Sequence, residues 1–229
     1  NLRFPIGRVV NIGVRTRLCL SGMGDAAAQV AALRLQEYGV NALVSFGVAA
    51  AVDNRLIPGD LVLPELIVDG DERWPVNLEW RNQLEQLLPS QLTIVGGVLA
   101  SSSIPLTSRE TKLALGELAG ACAADMESAA IARVAANAGM PFIAIRAIVD
   151  PIDFSPPEAL MSAVQPDGGV DMLRLMALLM NRSVSFKTLI HLGIGMHAAR
   201  STLSCIVRTA GAGFASEALN LENRDEEEG

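Results

Sequence analysis

Residues 124–150 read ADMESAAIARVAANAGMPFIAIRAIVD, and this stretch decides the fold. Its alanine-rich part, residues 128–138, predicts a helix that Gly139 can end in a left-handed conformation. The apolar run over 142–149 then predicts a buried strand that ends at Asp150. A helix followed directly by a buried strand is typical of α/β proteins, in which helices cover a parallel or mixed sheet.

The same alternation of strand-length and helix-length segments continues on both sides of this stretch. Strands are predicted over residues 17–20, 42–46, 61–68 and 92–100, and helices over 25–38, 170–180 and 186–214. The sequence shows no internal repeat and no domain boundary. We therefore predict one α/β domain over residues 1–221, with three layers (α/β/α) around a central mixed sheet, and an acidic tail over 222–229.

The composition excludes several classes of protein. With 50% hydrophobic residues among 229, the chain can bury a sizeable core, so disorder is excluded as its main state. A net charge of -7 and an aromatic fraction of 4% provide neither a phosphate-binding surface nor a base-stacking platform, so nucleic acid is not an expected partner. The 3 cysteines lie far apart and there are only 2 histidines, so neither a disulfide framework nor a metal site is expected.

The apolar segments lack the length and context of targeting segments. No basic segment leads into an apolar run near Asn1, and no stretch reaches about 18 consecutive apolar residues. We therefore expect a cytoplasmic protein that makes at most peripheral contact with a membrane.

The turn Ser21-Gly22-Met23-Gly24 joins the first predicted strand to the first predicted helix. Together with Ala27 it matches the loose fingerprint of dinucleotide-binding loops, whose backbone amides approach a pyrophosphate. The next strand does not end in the acidic residue that would bind the ribose. The turn is therefore interpreted either as a tight turn without a ligand or as a loop that faces a small ligand or a phosphate. Both interpretations are preferred to a dinucleotide site.

Four charged residues in the stretch 124–150 are candidates for a functional site. Asp125 and Glu127 lie where the chain enters the predicted helix, where carboxylates either cap the helix or meet a ligand. Arg146 and Asp150 interrupt an apolar strand, and the period of 2 places them on one face. Burying both is costly unless they are paired or reach a cleft. Pairing with each other is strained, because four residues along a strand span about 13 Å.

Five short segments follow one another in an order that resembles the nucleoside phosphorylases and nucleosidases. They are SGMG (21–24), VSFGVAA (44–50), IPGDLV (57–62), ADMESAA (124–130) and IRAIVD (145–150). The resemblance covers residues 18–153. The tripeptide Arg73-Trp74-Pro75, the prolines after Asp150 and the stretch QPDG (165–168) are similar to the hopanoid-associated phosphorylases.

The resemblance implies a mixed sheet with the active site at the carboxyl ends of its strands, and it implies catalytic roles for Glu127, Asp150 and Arg146. Glu127 would bind the ribose hydroxyls, Asp150 would hold or protonate the purine at N7, and Arg146 would lie near the attacking water or phosphate. The implied substrate-binding residues are Met126, which would pack on the sugar, Ser103 and Ile104, which would lie near the base, and Asp125, Gly47 and Gly22.

These roles suit the chemistry of N-glycosidic cleavage. The transition state carries positive charge on the sugar and negative charge on the base, so it needs a carboxylate at the sugar and an acid at the base. Asp150 can act as an acid near neutral pH only if its pKa is raised, and burial in the apolar strand would raise it.

Three features differ from the pattern of the nucleosidases. Val48 and Val149 stand where the 5'-methylthioadenosine nucleosidases carry serines, and Glu37 is the first glutamate, although nucleosidases activate water with a glutamate near their first strand. No arginine accompanies Gly47 to bind phosphate, as one does in the hexameric phosphorylases. The attacking group therefore stays open between water and phosphate. Inorganic phosphate is a possible co-substrate, and no cofactor is expected.

The resemblance implies an enzyme that releases adenine from an adenine nucleoside, with adenosylhopane as the expected substrate. The Met- and Leu-rich residues 172–179 and the predicted helix over 186–214 would form the wall for its apolar tail. One alternative is a nucleosidase for 5'-methylthioadenosine or S-adenosylhomocysteine, and another is a nucleoside-binding protein without activity. An NAD-dependent oxidoreductase is a third. We also expect a homo-oligomer, since related enzymes self-associate.

Overall fold

The computed structural model describes residues 5–12, 15–154 and 185–211. The predicted helix over 170–180 and the predicted tail over 222–229 lie outside these residues. The strands are β1 (Val9–Ile12), β2 (Thr16–Cys19), β3 (Leu43–Ala51), β4 (Leu61–Val62), β5 (Leu66–Asp69), β6 (Glu72–Pro75), β7 (Ile94–Val95), β8 (Val98–Ser101), β9 (Ala123–Asp125) and β10 (Phe142–Asp150). The helices are α1 (Asp25–Glu37), α2 (Leu78–Leu87), α3 (Arg109–Ala119), α4 (Ser128–Asn137) and α5 (Phe186–Ala210).

A mixed sheet with helices packed on it forms the centre of the described part of the chain. The strand order is β6-β5-β8-β9-β3-β10-β4-β7, and β1 and β2 form a separate antiparallel pair. The long strands β3 and β10 run parallel, while β9 and β4 run antiparallel to β3 and β10, respectively. The predicted α/β class and mixed sheet are confirmed.

The sheet is strongly curled, because strands that follow each other directly in the chain stand near opposite ends of the strand order. These strands are β4 and β5, and likewise β7 and β8. Only residues 63–65 separate β4 from β5, so they can span at most about 14 Å. In a flat sheet, with neighbouring strands about 4.8 Å apart, β4 and β5 would lie farther apart than that. The segment between β7 and β8 follows the same path, because backbone hydrogen bonds from Leu63 to Val95 (2.9 Å) and from Glu65 to Gly97 (2.8 Å) pair it with residues 63–65.

The predicted strands over 61–68 and 92–100 are each divided into two in the structure. The first is broken at Pro64, which separates β4 from β5, and this is the bend that a proline inside a strand predicts. The second is broken at Gly96 and Gly97, between β7 and β8, where Gly97 has a φ of 96°. Both breaks fall at the curl, where straight strands could not follow the sheet.

Helices α1 and α4 lie where the sequence predicts them, whereas α2 and α3 are additional elements. In α2, the Asn77 side chain accepts a hydrogen bond from the backbone of Trp80. In α3, Ser108 and Thr111 form a capping box, and Gly120 ends the helix in the left-handed conformation. Both helices are rich in polar residues, so their apolar periodicity is weak in the sequence.

Helix α5 packs closely on β10 through small side chains. Its buried residues Gly195, Ala199, Thr202 and Ile206 recur at helical spacing and form one face. A Cβ at Gly195 would lie 2.0 Å from the carbonyl oxygen of Val149. The Thr202 hydroxyl also donates to the carbonyl oxygen of Gly59 at 2.6 Å. This contact supports the end of β10, where Asp150 lies.

Candidate active site

Arg146 in β10 extends its side chain across β3 to Asp125 at the end of β9. The Arg146 Nε lies 2.6 Å from Asp125 Oδ2. The residue opposite Arg146 in β3 is Gly47, and a Cβ at Gly47 would lie 2.5 Å from Arg146 Nη1. The guanidinium therefore crosses β3 where there is no side chain. Arg146 is paired with Asp125 and not with Asp150, in agreement with the strain expected for that pair.

The ion pair of Arg146 and Asp125 belongs to a buried polar network, in which the two side chains are 4% and 1% exposed. Arg146 Nη2 donates to the hydroxyls of Ser45 (2.7 Å) and Ser128 (3.0 Å). Asp125 Oδ1 accepts from the backbone N–H of Ser128 at 3.1 Å. The network fixes the start of α4 against the sheet. These contacts favour a supporting role for both residues, and not the direct ligand contact implied by the resemblance.

Glu127 lies at the junction of β9 and α4 and reaches the turn that contains Gly22 and Gly24. Its Oε1 accepts a hydrogen bond from the backbone N–H of Gly24 at 2.7 Å, and its Oε2 accepts one from the N–H of Met126 at 3.3 Å. Gly22 and Gly24 have φ values of 85° and 92°, which are open to glycine and strained for other residues. The structure thus brings Glu127 and its neighbour Met126 to the glycine turn, which lies 103 positions earlier in the chain.

Asp150 ends β10 and forms a buried ion pair with Lys112 of α3. The Lys112 Nζ lies 2.6 Å from Asp150 Oδ2, and the Lys112 side chain is 0% exposed. Nζ also donates to the carbonyl oxygens of Pro151 (2.9 Å) and Phe154 (2.8 Å). Lys112 therefore holds both the Asp150 carboxyl group and the chain that follows it.

Burial raises the pKa of Asp150 above its usual value, because desolvation disfavours the charged carboxylate. The Lys112 ammonium lowers this pKa but offsets the effect of burial only in part. The direction agrees with the expectation drawn from the apolar sequence of β10. A carboxyl group with a raised pKa keeps its proton to higher pH, as an acid at a leaving group requires.

The sheet register places Asp150 and the β9–α4 junction on either side of β3. Ala50 in β3 is paired with Ala124 on one side and with Asp150 on the other. Since neighbouring strands lie about 4.8 Å apart, the backbones of Ala124 and Asp150 are separated by about 10 Å. Glu127 follows Ala124 by three residues. The segments that carry the two candidate catalytic carboxyl groups, the β9–α4 junction and the end of β10, therefore flank β3.

The serine loop after β8 is attached to the same region. Ser101 is paired with Asp125 in the sheet, and its hydroxyl donates to Asp125 Oδ1 at 3.4 Å. Ser102 donates its hydroxyl to the carbonyl oxygen of Ile104 at 2.6 Å. Ser103 and Ile104 are exposed, with Ile104 66% accessible. Their contact with a base stays a prediction.

The sequence patterns do not identify Lys112, Ser45 or Ser128 as parts of the site. Lys112 shares one face of α3 with Leu115, Gly116 and Ala119, so a lysine in an apolar stripe is the signal that could have identified it. The two serines carry no comparable signal, because a buried strand and a helix start both accept serine without a functional role.

A shallow surface depression of about 320 Å³ lies between the end of β3 and α3. Asp53, Arg55 and Glu117 are among the residues that line it, and Asp53 and Arg55 pair with each other there. Because no predicted site residue lines this depression, we do not assign the site to it.

Two further observations concern metals and membranes. Across residues 5–12, 15–154 and 185–211, no cluster of 3 or more His, Cys, Asp or Glu side chains is arranged to hold a metal ion. No helix in those same ranges combines the length and the apolar character needed to cross a bilayer.

Comparison with known proteins shows the family of this chain. The family model described as "Phosphorylase superfamily" matches residues 3–165, which is more than half of the 229 residues. Among curated proteins, the 5'-methylthioadenosine/S-adenosylhomocysteine nucleosidase of Buchnera aphidicola subsp. Baizongia pistaciae is 26% identical over 175 residues, with 68% of this chain and 69% of the relative covered. The enzyme of the same name from Shewanella sp. is 27% identical over 161 residues, with 58% of this chain and 68% of the relative covered.

Solved structures share the fold. The 5'-methylthioadenosine/S-adenosylhomocysteine nucleosidase of Neisseria meningitidis, in complex with methylthio-immucillin-A, superposes with a TM-score of 0.65 at 18% identity and covers 87% of both chains. At this identity the likeness concerns the fold, including the mixed sheet that carries the candidate residues.

Proposed function

This chain belongs to the phosphorylase superfamily, and from that premise we propose that it is an enzyme that cleaves the N-glycosidic bond of an adenine nucleoside. The observation that carries the proposal is the placement of two carboxyl groups on either side of β3. Glu127 lies at the glycine turn and Asp150 lies in a buried position, where its pKa is raised. The separation of about 10 Å between their strands is of the order of the length of a nucleoside.

In the proposed reaction the two carboxyl groups act at opposite ends of the substrate. Glu127 binds the ribose hydroxyls and stabilises the positive charge that develops on the sugar. Asp150 gives or holds a proton at N7 of the departing adenine. Arg146 and Asp125 hold Glu127 in position, because their buried network fixes the start of α4, which Glu127 directly precedes.

The names of the curated relatives support 5'-methylthioadenosine or S-adenosylhomocysteine as the substrate ahead of adenosylhopane. This reverses the order of preference drawn from the sequence. It also favours water over phosphate as the attacking group, since those relatives are named as nucleosidases.

Adenosylhopane stays the second candidate because of one observation. Phe186, Ile190 and Ile194 recur every four residues along α5 and are 72%, 57% and 62% exposed, so they form an apolar stripe. Such a stripe suits a long apolar 5' substituent. The Met- and Leu-rich residues 172–179 of the predicted wall lie outside the described part of the chain.

The test is the release of free adenine from adenosines that carry 5' substituents of increasing length. We expect release from 5'-methylthioadenosine and S-adenosylhomocysteine without phosphate. Release that improves with the length of an apolar tail would favour the second candidate. A requirement for inorganic phosphate would identify phosphorolysis. Binding without release from any substrate would favour a nucleoside-binding protein.

Two variants test the residues in the same assay. Glu127→Gln and Asp150→Asn should each lower turnover by about 10²-fold or more while the protein stays folded. Glu117→Gln is the matched control, because Glu117 is an exposed carboxylate of α3 and should leave turnover unchanged. Normal turnover in either Glu127→Gln or Asp150→Asn would contradict the assignment of that residue.

A further inference from the structure

Lys112 is a fully buried cation whose hydrogen-bonding capacity is used completely. An ammonium group has three protons to donate. In Lys112 they go to Asp150 Oδ2 and to the carbonyl oxygens of Pro151 and Phe154, at distances of 2.6, 2.9 and 2.8 Å. One side chain thus binds the candidate acid and both ends of the short segment that follows it.

The backbone that carries Lys112 is held in place from several directions. The capping box at Ser108 fixes the start of α3, and Gly120 fixes its end. Gly116, one turn after Lys112, packs against the end of β3, where a Cβ would lie 2.8 Å from the carbonyl oxygen of Val52. The ammonium therefore reaches Asp150 from a fixed support.

A buried lysine is not explained by stability alone. Removing an ammonium from water costs several kcal/mol, and well-packed apolar residues often replace buried ion pairs without loss of stability. The apolar stripe of α3 around Leu115 and Ala119 could hold a methionine at position 112. The stability of the core therefore does not require a charge at position 112, and the reason for the lysine is sought in the site.

We propose that Lys112 is a positioning residue for glycosidic cleavage, which fixes the orientation of the Asp150 carboxyl group and the course of the chain from Asp150 to Phe154. The ion pair occupies Oδ2 of Asp150, so the other carboxyl oxygen is the one that meets the base. This inference rests on the proposed function, because it assigns the base-binding role to Asp150.

The charge of Lys112 also affects the titration of Asp150. Burial raises the pKa of Asp150 and Lys112 opposes that rise, so removal of the ammonium should raise the pKa further. The elements around Asp150 carry other charged or titratable groups as well. Arg109 and Asp153 pair with each other, His191 stacks on Phe154, Asp60 accepts from the backbone of Ile57, and Arg146 pairs with Asp125. The remaining groups are Glu110 and Glu117 of α3, Arg133 of α4, and Lys187, His197, Arg200, Cys205 and Arg208 of α5. Among the described residues, Lys112 is the cation in contact with Asp150.

The test compares Lys112→Met, Lys112→Gln and Lys112→Arg with the wild-type chain. Adenine release is measured as kcat and KM from pH 4 to 9, and folding is checked by circular dichroism and thermal unfolding. In the two neutral variants, kcat should fall by a larger factor than KM changes. The limb of the pH profile that is set by Asp150 should move to higher pH. Lys112→Arg keeps the charge, so its limb should stay near that of the wild type.

Arg55→Met is the control, since it removes an exposed charge that lines the depression to which no site residue is assigned, and it should change neither kcat nor the pH profile. A folded neutral variant with wild-type kcat and an unmoved limb would overturn the proposal. If both neutral variants fail to fold, Lys112→Arg becomes the test of the proposal. Its guanidinium cannot occupy the position of the ammonium beside Asp150, so kcat should fall without a change in KM. Wild-type kcat in Lys112→Arg would then overturn it.

A readout independent of activity separates this inference from the proposed function. The carboxyl resonance of Asp150, assigned by its loss in Asp150→Asn, is followed by NMR during pH titration of the wild type and Lys112→Met. A higher pKa in Lys112→Met supports the electrostatic contact even if the wild type releases no adenine, an outcome that overturns the proposed function alone. An unchanged pKa overturns the role of Lys112 whatever the activity.

Discussion

At the scale of single residues, Gly47 and Arg146 depend on each other. Gly47 is not one of the glycines with positive φ, so its backbone does not require glycine. The requirement comes from the guanidinium of Arg146, whose Nη1 would lie 2.5 Å from a Cβ at this position. Gly47 was expected at the ligand from the resemblance. The structure gives it a steric reason that does not involve a ligand.

Gly47→Ala should therefore destabilise the protein by displacing Arg146 from Asp125. Breaking a buried ion pair costs about 3–5 kcal/mol, because it leaves a charge without its partner. Ser45→Ala is the comparison variant, since it removes one acceptor of the same guanidinium and should cost about 1 kcal/mol. Urea denaturation measures both. A loss in Gly47→Ala no larger than that in Ser45→Ala would contradict this account.

Residue types were easier to predict than residue partners. Asp125, Glu127, Arg146 and Asp150 stand out in the sequence because charged residues interrupt apolar segments. Their partners do not stand out, since the residues that contact Asp150 and Arg146 are 38 and 21 positions away. Which of the charged groups meet is decided by strand order and helix packing.

At the scale of elements, α5 reaches the site through its contact with β10. Gly195 lies against the carbonyl oxygen of Val149, the residue before Asp150. The helix was predicted from its apolar pattern. The need for glycine at position 195 could not be predicted, because it depends on how closely the helix approaches the strand.

Gly195→Ala should destabilise the protein, whereas Gly193→Ala should not. A Cβ at Gly195 would lie 2.0 Å from a backbone oxygen, so α5 must move, at a cost of about 1–3 kcal/mol or more. A Cβ at Gly193 meets nothing within 4 Å, and alanine is favoured over glycine in a helix by up to about 1 kcal/mol. Thermal and urea unfolding should thus give opposite signs. Equal effects of the two substitutions would contradict the close packing.

At the scale of the whole molecule, the curled sheet brings distant parts of the chain to one site. Glu127 follows β9, Asp150 ends β10, Lys112 comes from α3, and the glycine turn precedes α1. Because these elements surround the central strand β3, the site depends on the complete fold. The expected homo-oligomer stays a prediction.

Asp150 should make the global stability depend on pH. Its pKa is raised in the folded protein by burial, although Lys112 opposes the rise, so the folded state binds this proton more tightly than the unfolded state. The resulting stability is fully present below the usual pKa of 3.8 and is lost as the pH rises through the raised value.

We therefore expect the wild type to lose stability relative to Asp150→Asn as the pH rises from 3.8 through the raised pKa of Asp150. Urea denaturation of both proteins at several pH values measures this difference in the free energy of unfolding. Asp150→Asn also leaves Lys112 without its ion pair, but that effect is constant with pH and does not change the slope of the difference against pH. A difference that stays constant, or that moves in favour of the wild type as the pH rises, would show that the pKa of Asp150 is not raised.

The sequence alone determined the α/β class, the helix over 128–138 with its end at Gly139, the strand that ends at Asp150 and the candidate carboxylates. Each of these depends on local periodicity, on caps and on residues that interrupt an apolar run. Only the tertiary structure decided that Arg146 pairs with Asp125, that Lys112 holds Asp150 and that the sheet curls far enough to bring β4 next to β5 in the chain's path. These features depend on which surfaces meet across long separations along the chain, and no local pattern of residues contains that information.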